Sequence, residues 1–166
     1  SLVAVDVTPT RGQFGIPDGR IVVPGEPDRS VMLYRLAAIG SGHMPIIGAR
    51  ETDTEGVNLL WDWIAGMDAA KKSSTEPSAK TLSSEDGLKA HLSTVNGAMK
   101  LARLLDSKGV GKQVRKSIVT TGLNSADANI RALFERFRSP DERPATLGNR
   151  IDAKQLLAVR GDAKRG

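Results

Sequence analysis

Apolar positions along the chain recur mostly at helical spacing and only briefly at strand spacing. Within residues 24–64, PGEPDRSVMLYRLAAIGSGHMPIIGARETDTEGVNLLWDWI, the residues Met32, Leu33, Leu36 and Ile39 fall three or four positions apart and predict a short amphipathic helix. Pro24 and Pro27 suit its beginning but not its interior, and Asp28 would lie near the positive end of the helix dipole. Gly40 and Gly42 end it, because glycine accepts the left-handed backbone common at helix C-termini. A second helix opens with the capping pattern Thr52-Asp53-Thr54-Glu55 and places Val57, Leu60, Trp61 and Ile64 on one face. Trp61 then belongs to the core, while Trp63 points elsewhere and is partly exposed. The loop between the helices, residues 41–50, carries Met44 and is held at both ends.

The rest of the chain has the same character. Residues 2–7 have the β-branched enrichment of a short strand, residues 20–23 form a second extended piece, and the two can pair as a small ribbon. Phe14 and Ile16 anchor the loop between them. Residues 68–82 are rich in Lys, Ser, Thr and Ala, contain Pro77, and have the composition of a linker. A cap within residues 83–86 precedes one helix of about twenty residues carrying Leu88, Leu92, Val95, Met99, Ala102 and Leu105. Val110, Val114 and Ile118 predict a shorter helix with Lys112, Arg115 and Lys116 outward. Asn124 or Ser125 caps another, with Ile130, Leu133, Phe134 and Phe137 as its stripe. Pro140 and Pro144 stop that run, and Asp152 starts a last short helix through Leu156 and Leu157. The expected fold is mainly α, in two small units: residues 1–67, then a helical bundle at residues 83–160.

Composition narrows the function. The 166 residues are 39% hydrophobic, enough for a real core. No run approaches the roughly 18 apolar residues of a membrane span, and no signal-peptide pattern opens the chain. It begins with Ser rather than Met, as a processed or excised piece would. The absence of cysteine excludes disulfides, thiolate metal sites and the C-x-x-C-H attachment of c-type haem, and two histidines cannot make a three-histidine zinc site. The net charge of +5 divides unevenly: residues 1–66 carry five Lys/Arg against eight Asp/Glu, the remainder nineteen against eleven. A basic C-terminal face suits solvent or an acidic protein partner. Nucleic acid is not expected, since aromatics make up 4% and no helix-turn-helix, RNP or zinc-finger signature is present. Gly40-Ser41-Gly42 lacks the leading strand and following Gly-Lys-Ser/Thr of a phosphate loop. No paired carboxylates or Ser-His-Asp arrangement stand out, so the chain by itself reads as non-catalytic.

The segments PGEPDRSVMLYRL, GSGHMPIIGA and TDTEGVNLLWDWI, in that order, resemble the distal half of the cytochrome c-like modules found in large planctomycete and verrucomicrobial proteins. The likeness covers residues 21–66. LFERFRSPDERPATLG and LLAVRGDAKRG resemble the sequence that precedes a haem-binding domain in the same proteins, so residues 161–166 look like the start of a following module. The resemblance implies a cytochrome c-like remnant in a periplasmic or secreted multidomain protein, with an electron-transfer role beside a propeller resembling sugar dehydrogenases. Its partners would be other domains or subunits of that redox protein. It makes Met44 the thioether ligand of haem iron, with Pro45 restricting the loop and Gly42 admitting the macrocycle closely. His43, an exposed loop histidine by position, becomes a weaker substitute ligand. His91 reads as an interfacial histidine of the long helix. The proximal histidine and thioether cysteines of such modules do not occur in these residues, so either they lie upstream or this copy has kept the scaffold without haem. The other reading is a haem-free structural or protein-interaction module using its basic helical surface.

With haem c expected only from a larger protein, the 166 residues themselves should carry no covalent haem. Intact-mass measurement should give the unmodified polypeptide, and a haem adduct would refute the reading.

Overall fold

The structure is a computed structural model that describes residues 4–40, 42–45, 51–68, 82, 84–107, 110–139 and 142. It is mainly helical. The described α-helices are α1 (Val31–Ala37), α2 (Thr54–Gly66), α3 (Glu85–His91), α4 (Val95–Asp106), α5 (Lys112–Leu123) and α6 (Ala128–Phe134). Short 3-10 turns at Pro27–Arg29 and Glu135–Phe137 precede α1 and follow α6. Most of the expected linker, the expected helix at 152–157 and the C-terminal residues 143–166 lie outside the described residues.

The N-terminal extended pieces meet, but only at an isolated parallel bridge, Val5 to Val22; a second bridge, Arg20 to Ser30, ties the later piece to the residue ahead of α1. The chain then enters the turn that begins at Pro27, whose missing N–H is no loss there. Asp28 does not serve the dipole of α1 as expected. It is buried and pairs with Lys100 of α4 at 3.2 Å, because the turn directs it inward.

The face of α1 that packs inward is Val31, Leu33, Tyr34 and Ala37; of the expected stripe Leu33 is buried and Leu36 packs half-buried against the core, while Met32 and Ile39 are half-exposed. Tyr34 decides the phase, since its large ring has an apolar place and its hydroxyl has a partner. α2 follows the sequence closely: Asp53 accepts from the Gly56 amide at 2.9 Å, Val57 and Ile64 are buried, and Leu60 and Trp61 pack on the core. Trp63 is 46% exposed.

The single long helix expected at 88–105 is two helices. Thr94 caps α4 by accepting from the Gly97 amide, and Ser84 caps α3 in the same way at Gly87. A polar Ser93-Thr94 pair offers the backbone this alternative to a continuous helix. Likewise α6 is capped by Asp127, which accepts from the Asn129 amide, rather than by Asn124 or Ser125; Asn124 closes α5 instead. α5 crosses α6 closely at Gly122, where an added Cβ would stand 2.3 Å from the Phe134 ring. His91 is half-buried, its Nδ1 3.0 Å from the Gly87 carbonyl.

Residues on both sides of the expected linker share one buried cluster. Ile16, Val31, Leu33, Tyr34 and Val57 belong to it together with Leu88, Val95, Met99, Leu101, Ile118, Ile130, Leu133 and Phe134. The stripes expected to cover one another within a separate bundle are covered also by α1 and α2. Hydrogen bonds cross the same boundary: the Ile39 amide donates to Ala132 O at 2.9 Å, the Tyr34 hydroxyl to Asn129 O at 3.2 Å, and the Arg103 guanidinium to Asp62 Oδ1 at 2.9 Å. At the far end Arg136 and Asp106, both buried, pair at 2.7 Å.

Trp61 of α2 and Leu133 of α6 line one narrow gap beside Met99. Leu133→Ala should therefore cost about 2–5 kcal/mol and lower the unfolding midpoint equally by tryptophan fluorescence and far-UV circular dichroism. A fluorescence transition left in place while the helical signal moves would mean two separate cores.

Candidate functional site

The loop after α1 is built by the needs of a helix end. The last carbonyls of a helix have no intrahelical donor. Here three of the oxygens around the end of α1 are served by residues of the loop and by Thr52, just ahead of α2. The Met44 amide donates to Arg35 O at 2.9 Å, the Thr52 hydroxyl to Ala37 O at 3.4 Å, and the His43 ring to Ala38 O at 2.6 Å. The His43 amide closes the turn on Gly40 O at 3.0 Å, with Gly40 at φ 121. The Arg35 Nε donates back to Gly42 O at 3.2 Å. The described residues of the loop are thus tied to α1 from several directions.

Gly42 makes the close approach possible. A Cβ there would lie 2.9 Å from Phe14 Cε1 and 3.3 Å from Tyr34 Cε1. The room that the sequence assigned to a flat macrocycle is used at this position by two rings of the protein itself. Phe14 stacks on Tyr34 with centroids 5.1 Å apart, and the Arg35 guanidinium lies 5.9 Å from the Phe14 centroid. Phe14 holds this place with a left-handed backbone, φ 54, beside Gly15 at φ 75. For a bulky residue that conformation costs on the order of 1–3 kcal/mol, so the packing around it must over-determine it. Burial, and then the charge of Asp127, raise the Tyr34 phenol above its ordinary range, so it remains a neutral donor.

Of the four candidate residues, Met44 and Pro45 are exposed and His43 and Gly42 are buried. The exposed loop histidine expected from the sequence is instead 7% exposed, because its ring satisfies Ala38 O. A carbonyl can only accept, so Nδ1 carries the proton that faces Ala38 O, and in the corresponding neutral tautomer the lone pair falls on Nε2. That Nε2 is buried and has no hydrogen-bond partner among the described residues. An unsatisfied buried polar atom costs about 1–3 kcal/mol. Met44, by contrast, is 37% exposed. It does not fill a hole in the core. Met44 and Pro45 are joined by a cis peptide bond.

His43, Met44 and Pro45 line a cavity of about 260 Å³ with Leu36, Glu51, Asp53, Gly56 and Val57. Its walls are apolar from Leu36, Val57 and Pro45 and acidic from Glu51 and Asp53, of which Asp53 is already occupied as the α2 cap. A larger cavity, about 530 Å³, lies between the start of α2 and the ends of α4 and α6 and holds Glu51, Asp106, Arg115 and Arg136. Its charges balance. Burial pushes the Asp106 carboxyl up and the Arg136 guanidinium down, each against the pull of the other, and Arg136 also lies 4.6 Å over Phe137. This pair holds the 3-10 turn to α4. No group of three or more His, Cys, Asp or Glu among the described residues is placed to hold a metal ion by itself, and none of their helices is long and apolar enough to cross a membrane.

Compared with known proteins, the chain matches no family model, no curated protein and no solved structure.

The supporting residues Phe14, Tyr34, Arg35 and Ala38 were not marked as functional by any motif. Ala38 acts only through its carbonyl, which no side-chain pattern discloses. Gly42→Ala should push the loop off the Phe14 and Tyr34 rings and cost about 1–3 kcal/mol. Hydrogen exchange at the Met44 amide should quicken more than at the α5 amides; equal protection in both proteins would show that the rings do not hold the loop.

Proposed function

We propose that this chain is one section of a larger c-type cytochrome-like redox protein, in which the Met44 loop meets the haem. The supporting observation is that Met44 stands exposed on a loop tied to α1, lining a cavity with Leu36, Val57, Glu51 and Asp53. A methionine placed to fill the core would be enclosed. The donor chemistry fits haem iron on one side: a soft thioether is a natural axial ligand, and apolar surroundings suit the macrocycle. Met44 would supply one donor to the iron, and any thioether linkage would come from outside these residues, which contain no cysteine. When bound, such a haem supplies a one-electron couple. The residues of this chain would mount the loop through the Met44 amide and give the ligand an apolar flank at Leu36 and Val57. His43 and Met44 are sequence neighbours facing one cavity, so they cannot serve as the two opposite ligands of one iron.

In this reading the partners are other domains or subunits of the redox protein, and a periplasmic or secreted location comes from the sequence resemblance alone. A second reading, a haem-free interaction module, draws on α5. There Lys112, Arg115 and Lys116 are exposed along one stretch and could dock an acidic protein. Salt-sensitive capture of an acidic partner by the wild type, lost on reversing these charges, would favour it.

A pyridine haemochrome assay on the native protein separates the two readings at once. If haem is present, Met44→Ala should lower its reduction potential and remove the Met-to-iron absorption band, because a Met/His pair raises the potential. A native protein without haem, or a potential and spectrum indifferent to Met44, overturns the proposal.

A further inference from the structure

The buried, unpartnered Nε2 of His43 calls for its own explanation, and haem does not provide one. The imidazole is oriented as metal-bound histidines usually are, one ring nitrogen donating to a backbone carbonyl and the other left with a bare lone pair. The adjacent residue, Met44, lines the same cavity and carries the softest donor available to a chain without cysteine. We propose that His43 and Met44 together form a site for a soft monovalent cation, Cu(I), on this chain alone. The two ligands are His43 Nε2 and Met44 Sδ, and the Ala38 carbonyl is the positioning group that fixes the tautomer.

Chemistry selects this ion over others. A thioether favours Cu(I), whereas zinc and harder divalent ions want several imidazole, thiolate or carboxylate ligands; Glu51 and Asp53 line the same cavity, but no three such residues among those described stand close enough to hold a metal ion. Cu(I) is satisfied by two or three soft ligands. Both side chains line one cavity, and a small ion asks less room of it than a macrocycle does. A site of this kind requires no haem, so it goes beyond the cytochrome-like reading.

The test is an anaerobic titration of the haem-free 166-residue chain with Cu(I), in competition with a chromophoric Cu(I) chelator. Nitrogen-15 and methyl NMR follow the His43 ring and the Met44 methyl group. Binding should be one to one, move His43 Nε2 and the Met44 methyl together, and leave His43 Nδ1 protonated. Met44→Leu, at an exposed position that should not disturb folding, should weaken binding roughly tenfold or more. His43→Gln should remove binding, and His91→Gln should leave it unchanged. Cu(I) binding that survives Met44→Leu, shifts at His91 instead of His43, equal affinity for Zn(II), or no binding at all would each overturn the site. The haemochrome assay is read on the native protein and this titration on the haem-free chain, so failure of either leaves the other result standing.

Discussion

Tyr34 is a large polar-tipped ring with almost no exposure, and its hydroxyl must find an acceptor inside the protein. It finds one at Asn129 O, ninety-five residues along the chain. That single requirement fixes α1 against α6. The same ring is the surface on which Phe14 stacks and one of the two against which Gly42 lies. The Met44 loop therefore rests on a column that runs from Asn129 through Tyr34 and Phe14 to Gly42. The N-terminal segment, the candidate site and the last described helix share one foundation, and the core cluster that spans them is the consequence. The loop draws support from these packed rings as well as from its own backbone, whose Met44 amide donates to Arg35 O.

Much of this architecture was legible in the sequence, and the limits have physical causes. α2 was readable because Asp53, Val57, Trp61 and Ile64 give the cap and the stripe in four residues of unambiguous type. The stripe Ile130-Leu133-Phe134 was readable for the same reason. The inward face of α1 was not, because Tyr34 is apolar along its body and polar at its tip, and periodicity counts it on neither side. The break between α3 and α4 was hidden by apolar residues that keep helical phase across Ser93-Thr94 while the backbone does not. The shared core could not be read at all: a stripe shows that a face is covered, but not by what.

The candidate site divides in the same way. Met44 and its position in a glycine-flanked loop stand out in the sequence, and so does the proximity of His43. What no pattern discloses is which of the two faces inward. The answer comes from Ala38 O, a backbone atom at the end of α1 that needs a donor. Arg35 is similarly silent in the sequence, yet it accepts from the Met44 amide through its carbonyl and donates to Gly42 O through its side chain.

The order His-Met in this loop has a structural logic that does not depend on any ligand. An imidazole can satisfy a buried carbonyl, and a thioether cannot, so the residue that faces Ala38 O is the histidine. With His43 drawn inward, the next side chain is left at the rim, and Met44 is the more exposed of the two. Exchanging the two residues would place a donor-free thioether against Ala38 O and the polar ring at the surface. The exposure of Met44 and the unpartnered Nε2 of the histidine thus go with one hydrogen bond. Any cofactor or ion that uses Met44 meets a loop whose state is already set by His43.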